Sequence, residues 1–197
     1  MFLRWKRLQS PPLLYFVQRE FGVDTVVNCT VKRLLCDHLD IEPDYLSTRI
    51  QTIFLNGKTV DDVNEAVVGE GDRLTLSAAM PGVLGAMLRK GGHYAAMRSG
   101  ISYMESRAVG ASTKGRIHLK LFNLILGELG PHFLDRGIWV KGKDLNAFLE
   151  RNGGGIAKGC RGVFADGKEY ECRQVLQWDW NEADEVLLQV KVYEKVK

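Results

Sequence analysis

Short apolar runs alternate with polar punctuation along the chain. Leu13-Leu14-Tyr15-Phe16-Val17, set after Pro11-Pro12, predicts a strand, and Val23-Asp24-Thr25-Val26-Val27 predicts another with Gly22 as the turn residue ahead of it. Thr30 then stands where an N-cap belongs, because its hydroxyl can accept a backbone N–H of a first helical turn. Val31, Leu34, Leu35 and His38/Leu39 follow at i, i+3, i+4 and i+7/8, one face of a helix that needs a sheet to lie on. Pro43 prevents its continuation. Ile50 to Leu55 is rich in β-branched and apolar residues and closes on Asn56-Gly57, a hairpin signal because both residues tolerate positive φ. Val60 to Val67 predicts a short helical turn or loop. Gly71-Asp72 then turns the chain into Arg73-Leu74-Thr75-Leu76-Ser77, a strand with Leu74 and Leu76 on one face. This succession predicts an α+β first half with its helix on one sheet face.

Seven glycines between Gly82 and Gly115 predict a flexible connection, with a short helix over Tyr94 to Tyr103. Beyond it, Arg116 to Leu121 alternates as a strand does. Leu124 to Leu134 predicts helical segments interrupted at Gly130-Pro131, and Ile138-Trp139-Val140 predicts a short strand. Leu145, Phe148 and Leu149 mark a helix over Asp144 to Arg151 that ends at Gly153-Gly154-Gly155. Val163 to Glu171 predicts a hairpin around Asp166-Gly167, and Val186 to Tyr193 a final strand. The expected organisation is therefore residues 1–90, a connection over 91–115, and a second α+β domain over 116–197. No internal repeat is visible between the halves.

Composition narrows the partners. A hydrophobic fraction of 45% and a charged fraction of 26% are those of an ordinary globular chain. A net charge of +3 is too nearly balanced for a nucleic-acid binder. No stretch approaches the run of about 20 apolar residues that spans a bilayer, and no signal peptide is expected at Met1. Four cysteines in 197 residues do not make a disulfide scaffold, so a reduced, cytoplasmic setting is expected. Nothing in the chain calls for a cofactor or specifies a reaction, which favours a non-enzymatic role.

Ile53-Phe54-Leu55-Asn56-Gly57-Lys58, then Val60-Asp61-Asp62, then Gly71-Asp72-Arg73-Leu74-Thr75-Leu76 carry a resemblance. The stretch from about Val23 to Pro81 resembles the ubiquitin-like sulfur carriers, which include the molybdopterin-synthase small subunit and the carrier of thiazole synthesis. The resemblance implies a β-grasp domain whose C-terminal tail inserts into an activating or synthase-type enzyme. It also implies a terminal Gly-Gly whose carboxylate becomes a thiocarboxylate. Here the first family glycine falls on Gly82 and the second on Val83, and the chain runs on to residue 197, so no free carboxylate exists there. The implied partner contact is Pro81 to Ala86, with Pro81, Gly82, Val83 and Gly85 as its residues. A second diglycine, Gly91-Gly92, offers an alternative: a precursor cut after Gly92.

Other constellations are weaker. Gly154 to Arg161 has the glycine spacing of a phosphate loop, but Cys160 and Arg161 replace the lysine and hydroxyl residue. Cys36-Asp37-His38 gathers zinc-ligand types without a fourth. Cys160 and Cys172 bracket the predicted hairpin, offset by a two-residue loop and opposed by a three-residue one. Reduced packing thiols are expected there. Trp178-Asp179-Trp180 puts two indoles on one side if extended, as an aromatic platform or as a loop tucked on a sheet edge. A ligand-binding or enzymatic second half, using the glycine stretch 153–162 and these tryptophans, is the remaining alternative.

Overall fold

The computed structural model of the protein describes residues 1–5, 13–104, 107–165, 168–175 and 177–192. In chain order it contains β1 (Phe2–Trp5), α1 (Leu14–Val17), β2 (Phe21–Val27), β3 (Cys29–Thr30) and α2 (Val31–Arg33), the last running on as a π-helical turn, Leu34–His38. Then come α3 (Pro43–Thr48), β4 (Thr52–Leu55), β5 (Lys58–Thr59), β6 (Val67–Val68), β7 (Arg73–Ser77) and α4 (Gly82–Leu88). A 3-10 stretch, Ala95–Ile101, precedes β8 (Thr113–Phe122), α5 (Asn123–Arg136), β9 (Ile138–Lys141) and α6 (Gly142–Gly159). The last elements are β10 (Cys160–Ala165), β11 (Lys168–Tyr170), α7 (Cys172–Val175) and β12 (Glu185–Val192). The fold is mixed α+β, and among the described residues no helix is long and apolar enough to cross a membrane.

These elements form two compact units, residues 22–126 and residues 1–21 with 127–197. The division differs from the expected 1–90, 91–115 and 116–197 because strand pairing is non-local. β8, expected to open the second domain, pairs in parallel with β7, from Arg73↔His118 to Ser77↔Phe122. β1, at the N-terminus, pairs with β10 and with β12.

In the unit 22–126 the strand order is β2-β8-β7-β4-β5. Asn56 (φ 51°) and Gly57 (φ 81°) form the tight turn between β4 and β5, both in the left-handed region that a two-residue hairpin demands. The Thr30 hydroxyl accepts the Arg33 N–H at 3.3 Å, as its capping position predicts. Val31, Leu34, Leu35 and Leu39 are all fully buried. The π-helical turn adds one residue to that face: the Leu39 N–H bonds back to the Leu34 carbonyl, so Leu39 rather than His38 joins the core.

In the other unit the order is β11-β10-β1-β12-β9. Leu13 to Val17, expected as a strand, turns instead into α1. Leu13, Phe16 and Val17 are buried at i, i+3 and i+4 while Leu14 and Tyr15 are half-buried. A Cβ on Gly130 would stand 2.9 Å from a Val17 methyl, so α1 packs closely on α5 at that glycine. Phe16 and Phe148 lie 4.5 Å apart between ring centres, with Tyr15 stacked on Phe148 at 5.8 Å. α5 passes through Gly130-Pro131 without interruption. An interior proline costs a helix about 3 kcal/mol, and burial of Ile125, Phe133 and Leu134 offsets it. α6 likewise continues past Gly153-Gly154-Gly155 to Gly159. The expected turn residues Asp166-Gly167, like Pro11-Pro12 and Tyr193, lie outside the described residues.

The two units share an order of elements that the sequence reading misses. Strand β2, helix, β4, β5 and β7 in one correspond to β9, α6, β10, β11 and β12 in the other. Ile53-Phe54-Leu55 matches Val163-Phe164-Ala165, and Asp72-Arg73-Leu74 matches Asp184-Glu185-Val186. Each unit has a parallel pair in the middle of its own strand order, β7 with β8 and β1 with β12. In the second unit, however, β12 takes the place that β8 has in the first, and β1 takes that of β7.

Cys160 and Cys172 form a disulfide with their Cα atoms 6.1 Å apart, where reduced thiols were expected. β10 and β11 pair as Ala165↔Lys168 and Val163↔Tyr170, a register that continued would set Cys160 against Arg173. The chain leaves that ladder after Tyr170 and curls into α7, which brings Cys172 to Cys160 instead. Cys160→Ser is expected to lower the stability of this unit by about 3 kcal/mol or less, the chain entropy of a loop this short. Thermal unfolding of wild type and variant without reductant checks it.

Candidate functional site

The residues implied by the resemblance fall on one short stretch of the unit 22–126. β7 ends at Ser77, Pro81 is extended (φ −72°, ψ 158°), and α4 begins at Gly82, whose φ of 77° suits glycine. Gly82 to Ala86 thus lie in a helix that follows the extended Pro81, and not in the extended tail that the resemblance implies. Val83 is 78% exposed and Leu84 66%, while Gly85 and Leu88 face inward. Gly85 sits against the chain just before the helix, where a Cβ would stand 1.8 Å from the Met80 carbonyl oxygen. Gly85→Ala is expected to lift α4 off this seat at a cost of about 1–3 kcal/mol. Faster amide exchange over residues 82–88, with β7 and β8 unchanged, is the readout.

Gly91 and Gly92 are tied down. The Lys90 N–H bonds to the Gln51 carbonyl at 2.9 Å, the Gly91 N–H to Asp61 Oδ1 at 3.0 Å, and the Gly92 N–H to the Arg89 carbonyl at 3.1 Å. The Lys90 ammonium donates to the Leu46 carbonyl, and burial lowers its pKa below the ordinary lysine value, with Cys36 acting weakly in the opposite sense. The expected flexible connection is here a turn with four anchors.

Asp61 has a second donor, Arg98, whose side chain is only 1% exposed. Neither residue is among the candidate site residues of the sequence: Asp61 enters there only within the motif that carries the resemblance, and Arg98 only within the short helix expected over Tyr94 to Tyr103. The same is true of the apolar surface. Of the ten large apolar side chains that stand exposed among the described residues, seven lie between Val83 and Val109. Val83, Leu84, Met97, Ile101 and Met104 are between 49% and 78% exposed. Met104 also lines a groove of about 540 Å³, together with Tyr103, Asp61, Asp62 and Glu65.

The hydrogen bonds of the Asn-Gly and Gly-Asp motifs give those motifs a structural role. Asp72, 7% exposed, accepts from Asn56 Nδ2 at 2.8 Å, from the Gly69 N–H at 2.7 Å and from Arg107 at 2.7 Å. Asn56 Oδ1 in turn accepts the Arg73 N–H at 2.9 Å. The hairpin is locked to the start of β7 by these contacts.

Trp178 and Trp180 belong to the other unit. Their rings meet edge to face at 5.6 Å, and Trp178 meets Tyr170 at 4.9 Å. Asn146 holds the segment through both backbone groups of Trp180 and through Asp179. Both indoles are half-buried, which matches a tucked loop better than an open platform. Gly154 to Gly159 lies inside α6 and Cys160 opens β10, so the stretch is not the loop that phosphate binding or a ligand pocket requires. Burial raises the pKa of Cys36 and of Cys29, which disfavours the thiolates that a metal or an electrophile needs.

Comparison with protein-family models, curated proteins and solved structures finds no match for the chain.

Proposed function

We propose that this chain is a non-catalytic partner-binding protein whose residues 22–126 form a β-grasp akin to that of sulfur carriers, and that it docks an activating or synthase-type enzyme through α4. The observation that carries the reading is the pair Val83 and Leu84, exposed on a helix directly after the last strand of the resemblance. Apolar side chains concentrated in one region of a protein surface mark interaction sites, and methionines such as Met97 and Met104 suit adaptable ones. The β-grasp part draws support from the strand order β2-β8-β7-β4-β5. A β-grasp sheet has its first and last strands parallel at the centre, and here β8 and β7 hold those places. The departure is that β8 follows the other strands in sequence instead of preceding them.

That departure also weighs against the precursor reading. A cut after Gly92 would leave β8, a central strand, on the other fragment, so the released carrier would lack part of its own sheet. The test is affinity isolation of the full chain from its native cells. Expected are an intact mass of the complete chain and co-isolation of an adenylating or synthase-type enzyme. A species ending at Gly92, above all one with sulfur in place of oxygen, would replace this reading with the precursor one.

A further inference from the structure

The geometry points to Arg98 as the latch that keeps α4 folded against the body of its unit. α4 is weak on its own terms. It has seven residues, two of them glycine, and no side-chain cap at its N-terminus. Isolated helices shorter than about 12–15 residues are marginal in water, and each interior glycine costs about 1 kcal/mol relative to alanine. The C-cap residue Arg89 is extended (φ −64°, ψ 129°), so no left-handed glycine closes the helix and its last carbonyls need other donors.

Arg98 supplies them. Its Nε donates to the Met87 carbonyl at 2.5 Å and its Nη2 to the Arg89 carbonyl at 3.2 Å. Nη1 donates to Ser102 Oγ at 3.0 Å, and Nη2 also to Asp61 Oδ1 at 2.5 Å. A guanidinium this deeply buried is tolerated only when its charge and its donors are matched, and here a carboxylate and three further oxygens meet it. The connection runs from the end of α4 to the body of the unit: Met87 and Arg89 belong to the stretch that follows Pro81, and Asp61 follows β5. Asp61 receives the Gly91 N–H through the same oxygen, so latch and diglycine turn close together. A positive charge placed at a helix C-terminus also meets its dipole favourably.

With the latch removed, the seat at Gly85, the buried Leu88 and the two Lys90 bonds to Gln51 and Leu46 are left to hold a helix too short to persist alone. The stretch 82–92 then opens while the sheet stays intact. Arg98 is accordingly a positioning residue for the docking surface. This role rests on the proposed function only for what the folded helix serves, since its structural consequence is measurable without any partner.

The experiment is hydrogen exchange read by mass spectrometry on the full chain and on Arg98→Met and Asp61→Asn. Both variants are expected to exchange at least tenfold faster over residues 82–92, with the peptides of β7 and β8 at wild-type rates. Trypsin cleavage after Arg89 and Lys90 should accelerate in parallel. Wild-type exchange over 82–92 in both variants would overturn the latch. So would a loss of protection spread evenly over the whole unit, which would make Arg98 an ordinary core residue. Lack of partner capture by wild-type protein in which the latch behaves as described would instead remove the docking reading alone.

Discussion

Asp72→Ala is expected to lower the stability of the unit 22–126 by about 3 kcal/mol. The carboxylate is 7% exposed and accepts from three donors, so its removal leaves the Gly69 N–H without a partner at a half-buried position and strips the Asn56 amide of the acceptor that orients it. Such an orphan costs about 1–3 kcal/mol. The Arg107 ion pair adds little, because that side chain is 40% exposed and water replaces the carboxylate. Asn56 would also lose the contact that orients its oxygen towards the Arg73 N–H, weakening the lock between hairpin and β7. Asp72→Asn keeps the shape and one acceptor and should lose about half as much. Denaturant unfolding of the three proteins, compared at constant slope, gives the ranking directly.

Val83→Asp combined with Leu84→Asp is expected to weaken partner binding by about 100-fold or more while leaving the fold intact. Anchors at the centre of an interface are worth about 2 kcal/mol or more each when lost. Both side chains point to solvent in the free protein, and substitutions at exposed positions shift stability by only about 0.5 kcal/mol. A matched pair of binding and unfolding measurements separates the two effects. Equal loss of affinity and of stability would place these residues in the fold and not in the interface.

Where local chemistry decides the structure, the sequence is readable. Asn56-Gly57 needs positive φ at both positions, Thr30 has a hydroxyl at the right offset, and Leu74 and Leu76 alternate out of Gly71-Asp72. All three are found as expected. Where a run is uniformly apolar, as at Leu13 to Val17, period alone does not separate strand from helix, and packing on Gly130 settles it. Proline and glycine signals mislead in α5 and α6, where burial of Phe133, Leu134 and Phe148 outweighs a weak helix interior. Pairing between distant segments is invisible at this level: nothing in Arg116 to Leu121 announces β7 as its neighbour, and the repeated order of elements is concealed by unequal spacers. The same holds for the site. Glycine content suggests a loose connection over residues 82–115, whereas a single buried arginine and one aspartate tie Met87, Arg89, Gly91 and Ser102 together.

The proposed role of α4 is to dock an enzyme of the activating or synthase type. It is tested most directly by a photo-crosslinking residue placed at Val83 in the full chain, irradiated in the native cells, with the adduct identified by mass spectrometry. One dominant adduct with an adenylating or synthase-type enzyme is expected, lost when Leu84→Asp is added. No adduct, or crosslinks scattered over abundant unrelated proteins and insensitive to Leu84→Asp, would contradict it.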